Sequence, residues 1–158
     1  MMIKRIVAPI MCVSAISLLL AGCGGSSTAD LEDGTYEGKS EVYVADELAL
    51  EDEEVDEAAN GYGVVSITIE DGAITDCTYQ TYEEDGTLKD EEYGKEDGEV
   101  RNTDYYNKAQ KAVAACAEYA DQLVETGDVK KVDTISGATI NHDEFVEAVD
   151  AALEEAKQ

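Results

Sequence analysis

The chain has 158 residues, and its 37 Asp and Glu against 11 Lys and Arg give a formal net charge of −26. A surface this negative repels phosphate backbones and anionic headgroups, which excludes nucleic acid as a partner. Four cysteines with no CxxC pair, and a single histidine, leave a structural zinc site or a haem attachment motif nothing to rest on.

Lys4 and Arg5 precede an apolar run from Ile6 to Leu20. The run is short for a membrane-spanning helix and is followed at once by Gly24-Gly25-Ser26-Ser27, so residues 1–22 read as an export signal. Leu20-Ala21-Gly22-Cys23 resembles a bacterial lipobox, in which the peptide is cut before the cysteine and the thiol receives a diacylglycerol. The resemblance implies a lipid on Cys23, a location on the extracytoplasmic face of the cell membrane, and a mature chain of 136 residues (158 less 22). Losing Lys4 and Arg5 leaves nine basic residues against 37 acids, a net charge of −28. That length suits one domain with one core. Residues 23–32 read as the lipidated cysteine and a Gly/Ser-rich tether, and residues 33–158 as the domain. Two further cysteines, Cys77 and Cys116, fit a disulfide or two buried thiols equally well.

Thr35 to Val44 reads as a first strand. Ala45 to Asn60 carries eight carboxylates and few large apolar groups, which suits a solvated loop or a marginal surface helix; its acids lack the spacing of an EF-hand. The strongest local pattern follows. Val65, Ile67 and Ile69 alternate, the chain turns at Asp71-Gly72, and a β-rich run resumes from Ile74 to Tyr82, which predicts a hairpin. The charged, glycine-bearing stretch from Glu83 to Asn102 reads as a loop, with Glu83 and Glu84 on a solvated face.

Asp104 is the expected N-cap of a long helix. Tyr105, Ala109, Ala112, Val113, Cys116, Tyr119, Ala120 and Leu123 recur at helical spacing as its core face, and Gly127 stops it. Val129 to Val132 is a short connector, possible as an extended segment. Asn141 is the expected cap of a last helix, with Glu144 completing a variant capping box and Phe145, Val146, Val149, Ala152 and Leu153 facing inward. The order of elements predicts an α+β fold: a small antiparallel β-sheet packed against two C-terminal α-helices.

The segment before that last helix, Asp133-Thr134-Ile135-Ser136-Gly137-Ala138-Thr139, is small and polar. Gly137 opens backbone conformations closed to other residues, and Gly137 with Ala138 keeps bulk away from the backbone. A helix N-terminus offers unpaired N–H groups and a positive partial charge, so a hydroxyl at Thr139 stands where a phosphate is electrostatically welcome. Asp143 and Glu144 would disfavour a free dianion and tolerate a phosphodiester better. On the residues alone, a polar turn capping a helix is the simpler account.

Asp133-x-x-Ser136-Gly137-Ala138-Thr139 resembles the flavinylation motif of the FMN-binding domain family. That family includes flavin-carrying subunits of the sodium-pumping NADH:quinone reductase and of Rnf complexes, and lipoproteins of extracellular electron transfer. Asp33-Gly34-Thr35-Tyr36, the hairpin, the YYNKAQKAV segment and FVEAVDAAL are similar to further parts of the family, so the likeness covers nearly all of residues 33–155. Asn141 departs from it, since relatives usually carry a second Ser or Thr there. The resemblance implies FMN esterified through its phosphate to Thr139 by a flavin transferase, which takes FMN from FAD with a divalent metal. Gly137 and Ala138 would give the flavin and the transferase room, and Asp133 and Ser136 would serve recognition or positioning; Ser136 is the competing acceptor hydroxyl, against which its position in the motif argues. The implied function is an electron carrier supplied by a membrane donor, a quinol or NADH dehydrogenase system. The alternatives are a lipoprotein that binds FMN non-covalently and an extracytoplasmic flavin-dependent reductase; the lack of a G-x-G-x-x-G fingerprint weighs against the latter. His142 reads as a solvent-exposed first-turn residue, and Tyr79, Tyr82, Tyr105 and Tyr106 as packing groups that could alternatively stack on a flavin.

Overall fold

The computed structural model describes residues 31–44 and 60–157. The export signal, Cys23, the tether up to residue 30 and nearly all of the acidic segment therefore lie outside the described residues.

Strands β1 (Gly34–Lys39), β2 (Tyr62–Glu70) and β3 (Ala73–Tyr82) form an antiparallel sheet in the order β1-β2-β3. The Asp71-Gly72 turn places both central residues at positive φ, 52° and 72°. This is the geometry whose twist matches that of the flanking strands, and it is why Asp-Gly nucleates the predicted hairpin. β2 alternates as its sequence requires: Val65, Ile67 and Ile69 are at most 1 % exposed. The first strand ends earlier than expected. After Lys39 the Ser40 hydroxyl accepts from Gly63 N–H (2.9 Å), and only a single bridge, Tyr43 to Gly61, continues the pairing.

Helix α1 (Thr103–Thr126) packs on β3, and helix α2 (Thr139–Glu155) packs on β1 and β2. The fold is the α+β arrangement expected, a three-stranded antiparallel sheet with two helices after it. The core joins the inner face of β2 to Tyr119 and Leu123 of α1 and to Phe145, Ala148, Val149 and Ala152 of α2. Val146 and Leu153 pack at its margin. Gly38 is where β1 and α2 meet backbone to backbone: a Cβ there would collide with the Ala148 carbonyl oxygen and lie 2.6 Å from Ala152 N.

Three local expectations are corrected. The cap of α1 is Asn102, whose Oδ1 accepts from Tyr105 N–H (3.0 Å); Asp104 lies inside the first turn, where its charge still suits the helix dipole. The connector is a 3-10 turn, Val129–Lys131, capped by the Asp128 carboxylate. Asn141 does not cap α2. The helix begins three residues earlier, at Thr139 with Ala138 as N-cap and no side-chain cap, and Asn141 reaches across to α1 and donates to the Ala112 carbonyl (3.2 Å). Gly127 ends α1 as expected, at φ 63° with its N–H bonded to Leu123 O. At the far end of α2, Glu32 N–H donates to Ala156 O (2.8 Å), so the start of the domain is tied to the end of its last helix.

Cys77 and Cys116 are both free thiols. Burial pushes Cys77 up to about 12 and raises Cys116 as well, so neither is an activated nucleophile.

Candidate functional site

A cavity of about 360 Å³ opens between α1, the first turn of α2 and the loop after β3. Tyr93, Tyr105, Ala109, Ala112 and Val113 supply apolar wall, Lys89 and Lys108 supply charge, and Gly137, Ala138 and Thr139 form one edge. Size and lining suit a small aromatic molecule with an anionic group.

The edge is held by buried tyrosines. The Tyr119 hydroxyl, on a side chain with no exposed surface, accepts from Ile135 N–H (2.9 Å) and donates to the Ala138 carbonyl (3.0 Å). One phenol thus closes the loop Ile135–Ala138 into a fixed turn, with Gly137 at φ 85°. The Tyr79 hydroxyl donates to Asn141 O at 2.7 Å. His142 is half-buried instead of exposed: its ring meets Tyr119 edge-on at 5.5 Å, and Nε2, 3.2 Å from Val132 O, takes the donor role there. The histidine packs between Tyr119 and the backbone at Val132, with Nδ1 3.5 Å from Asp143 Oδ1.

Of the residues singled out in the sequence, Gly137, Ala138 and Thr139 reach the cavity, and Asp133 and Ser136 do not. Thr139 is exposed, as are Asp133 and Ser136 on the outer side of the loop. Ala138 is 3 % exposed and packs its small side chain into the cavity edge. Among the four tyrosines considered as stacking groups, Tyr105 lines the cavity. Tyr79 lies under α2 against Phe145, Tyr82 stacks on Tyr62 at 5.4 Å, and the Tyr106 hydroxyl donates to Glu91 O. Lys89 and Tyr93 are additions the sequence did not single out. Both come from a loop that reads as solvated, and only the return of that loop over α1 brings them in.

Beneath the site, Glu144 is 4 % exposed and its Oε1 has no hydrogen-bond partner. Burial raises its carboxyl to about 7, against the opposing pull of the Lys89 ammonium.

Fold and site together define a small-molecule-binding α+β domain whose pocket combines aromatic wall, positive charge and an exposed hydroxyl. The FMN-binding domain model matches residues 59–154, more than half of the chain, and the chain belongs to that family. FMN is accordingly its cofactor, and the apolar wall and lysines fit a ring and a phosphate. In fold, the chain is similar to the crystal structure of the CPE2226 protein from Clostridium perfringens (20 % identity, TM-score 0.54), covering 80 % of this chain and 89 % of that one. A solution structure from Clostridium thermocellum is 21 % identical with TM-score 0.41, covering 81 % and 94 %, too distant to carry an argument. No curated protein matches significantly.

Proposed function

We propose that this protein is a membrane-anchored, extracytoplasmic electron carrier with FMN attached through a phosphoester to Thr139. The observation that carries this is the position of Thr139: an exposed hydroxyl on the first residue of α2, at the edge of the cavity. No side chain caps this helix, so its first-turn amides remain available to an anion.

FMN, when bound, supplies reversible electron and hydride chemistry that no side chain has. Thr139 would hold it, Gly137 would let the phosphate approach the backbone, and Tyr93, Tyr105, Ala109 and Val113 would enclose the ring. Lys89 adds positive charge to the same wall. Asp133 and Ser136, exposed beside the attachment point, suit recognition by a flavin transferase. A lipid on Cys23 would keep the domain within reach of a quinol or NADH dehydrogenase system as donor. Permanent attachment makes sense outside the cell, where released FMN is lost by dilution.

The test is co-expression with a flavin transferase and a denaturing gel viewed under ultraviolet light. Wild type should fluoresce and Thr139→Ala should not. Fluorescence that persists in Thr139→Ala moves the attachment elsewhere. A wild type that releases all its colour on denaturation makes the protein a non-covalent FMN binder.

A further inference from the structure

The electrostatics of the pocket run against those of the chain. In a protein of net charge −26, Lys89 and Lys108 line the cavity beside Thr139. The Lys111 ammonium lies 3.5 Å from the position a Gly137 Cβ would occupy, and its Cδ and Cε lie at 3.6 and 3.8 Å. Lys108 and Lys111 stand three residues apart on α1, so they share one helix face, and that face looks onto the Gly137–Thr139 edge. Both residues are exposed, and among the described residues neither pairs with a carboxylate.

We propose that Lys108 and Lys111 are positioning residues for flavin attachment, holding the flavin-side phosphate of FAD against the Thr139 hydroxyl. The proposal rests on the attachment reading above. A phosphate approaching Thr139 meets the field of 37 acids, with Asp143 and Glu147 on the same helix. Two ammonium groups offer three donors each on flexible stems, enough to neutralise the non-bridging oxygens and follow the phosphorus as it moves. In the transfer, a bond forms between Thr139 Oγ1 and the flavin-side phosphorus, and the bond from that phosphorus to the bridging oxygen breaks. AMP leaves with the electron pair, and the hydroxyl proton passes to the transferase or solvent. Neither lysine gives or takes a proton.

The test uses the purified protein, a flavin transferase, FAD and Mg²⁺, with covalent incorporation followed by in-gel fluorescence after denaturation and by mass. Lys108→Ala/Lys111→Ala is compared with Lys130→Ala/Lys157→Ala, which changes net charge equally at exposed positions away from the cavity. At roughly tenfold per lysine, the first pair should slow incorporation about 100-fold. Its melting temperature should match that of the control, and Lys108→Arg/Lys111→Arg should recover most of the rate. Added KCl should slow wild type relative to the alanine pair, in which only the repulsion by the acids is left to screen. If wild type loads and the alanine pair loads as fast as its charge-matched control, this inference is wrong and the attachment reading stands. If wild type takes no covalent flavin, both fall.

Discussion

Replacing Glu144 with glutamine should make the protein more stable at pH 8 and leave it nearly unchanged at pH 5. The buried carboxyl has its ordinary value of 4.5 in the unfolded chain and about 7 in the folded one. Between those values the folded state binds more protons than the unfolded state, so stability falls as pH rises through that window and levels off above it. The difference of about 2.5 units corresponds to about 3 kcal/mol at 1.36 kcal/mol per unit. Glutamine keeps the shape and cannot ionise, so it removes this loss; its amide still needs a partner, which limits the gain at any pH by about 1 kcal/mol. Urea unfolding of wild type and Glu144→Gln at pH 5 and pH 8 gives four free energies. The remaining acids titrate alike in both proteins and cancel in the difference. The mutant-minus-wild-type difference should rise by about 2–3 kcal/mol from pH 5 to pH 8. A difference that stays constant, or shrinks, would show that Glu144 is solvated or fully paired and would refute the reasoning.

Two other substitutions probe how the attachment loop is held. Tyr119→Phe leaves the Ile135 N–H and the Ala138 carbonyl without their shared partner; it should cost about 1–3 kcal/mol in urea unfolding and slow flavin incorporation, since the loop loses its fixed shape. Gly38→Ala forces β1 away from α2, and should lower stability by about 2–3 kcal/mol, seen as a lower melting temperature.

The elements legible in the sequence are those fixed by neighbours along the chain. Asp71-Gly72 dictates its own turn, β2 alternates because one face is buried, and Gly127 stops α1 through a left-handed backbone. What the sequence hides depends on contacts between distant residues. Asn141 has the chemistry of a cap, but a carbonyl across on α1 claims its amide. Glu144 resembles half of a capping box and is instead buried, more than one full turn into a helix whose N-cap is Ala138. For the site, the small residues around Thr139 were visible because they must be small. Lys89 and Tyr93 were not, because a lysine and a tyrosine among acids look alike whether a loop folds inward or out.

The hydrogen bond between Glu32 and Ala156 fixes a polarity. The chain enters the domain beside the last turn of α2, while Thr139 begins that helix, and 17 residues at 1.5 Å each set the two about 25 Å apart. On the proposed anchor at Cys23, the flavin therefore sits at the pole opposite the lipid connection. On that proposal, an acceptor in the surrounding medium would meet the cofactor directly. On the same proposal, a donor in the membrane would reach the flavin only if the domain turned, so loading and unloading of electrons would be separated by a rotation of the protein itself.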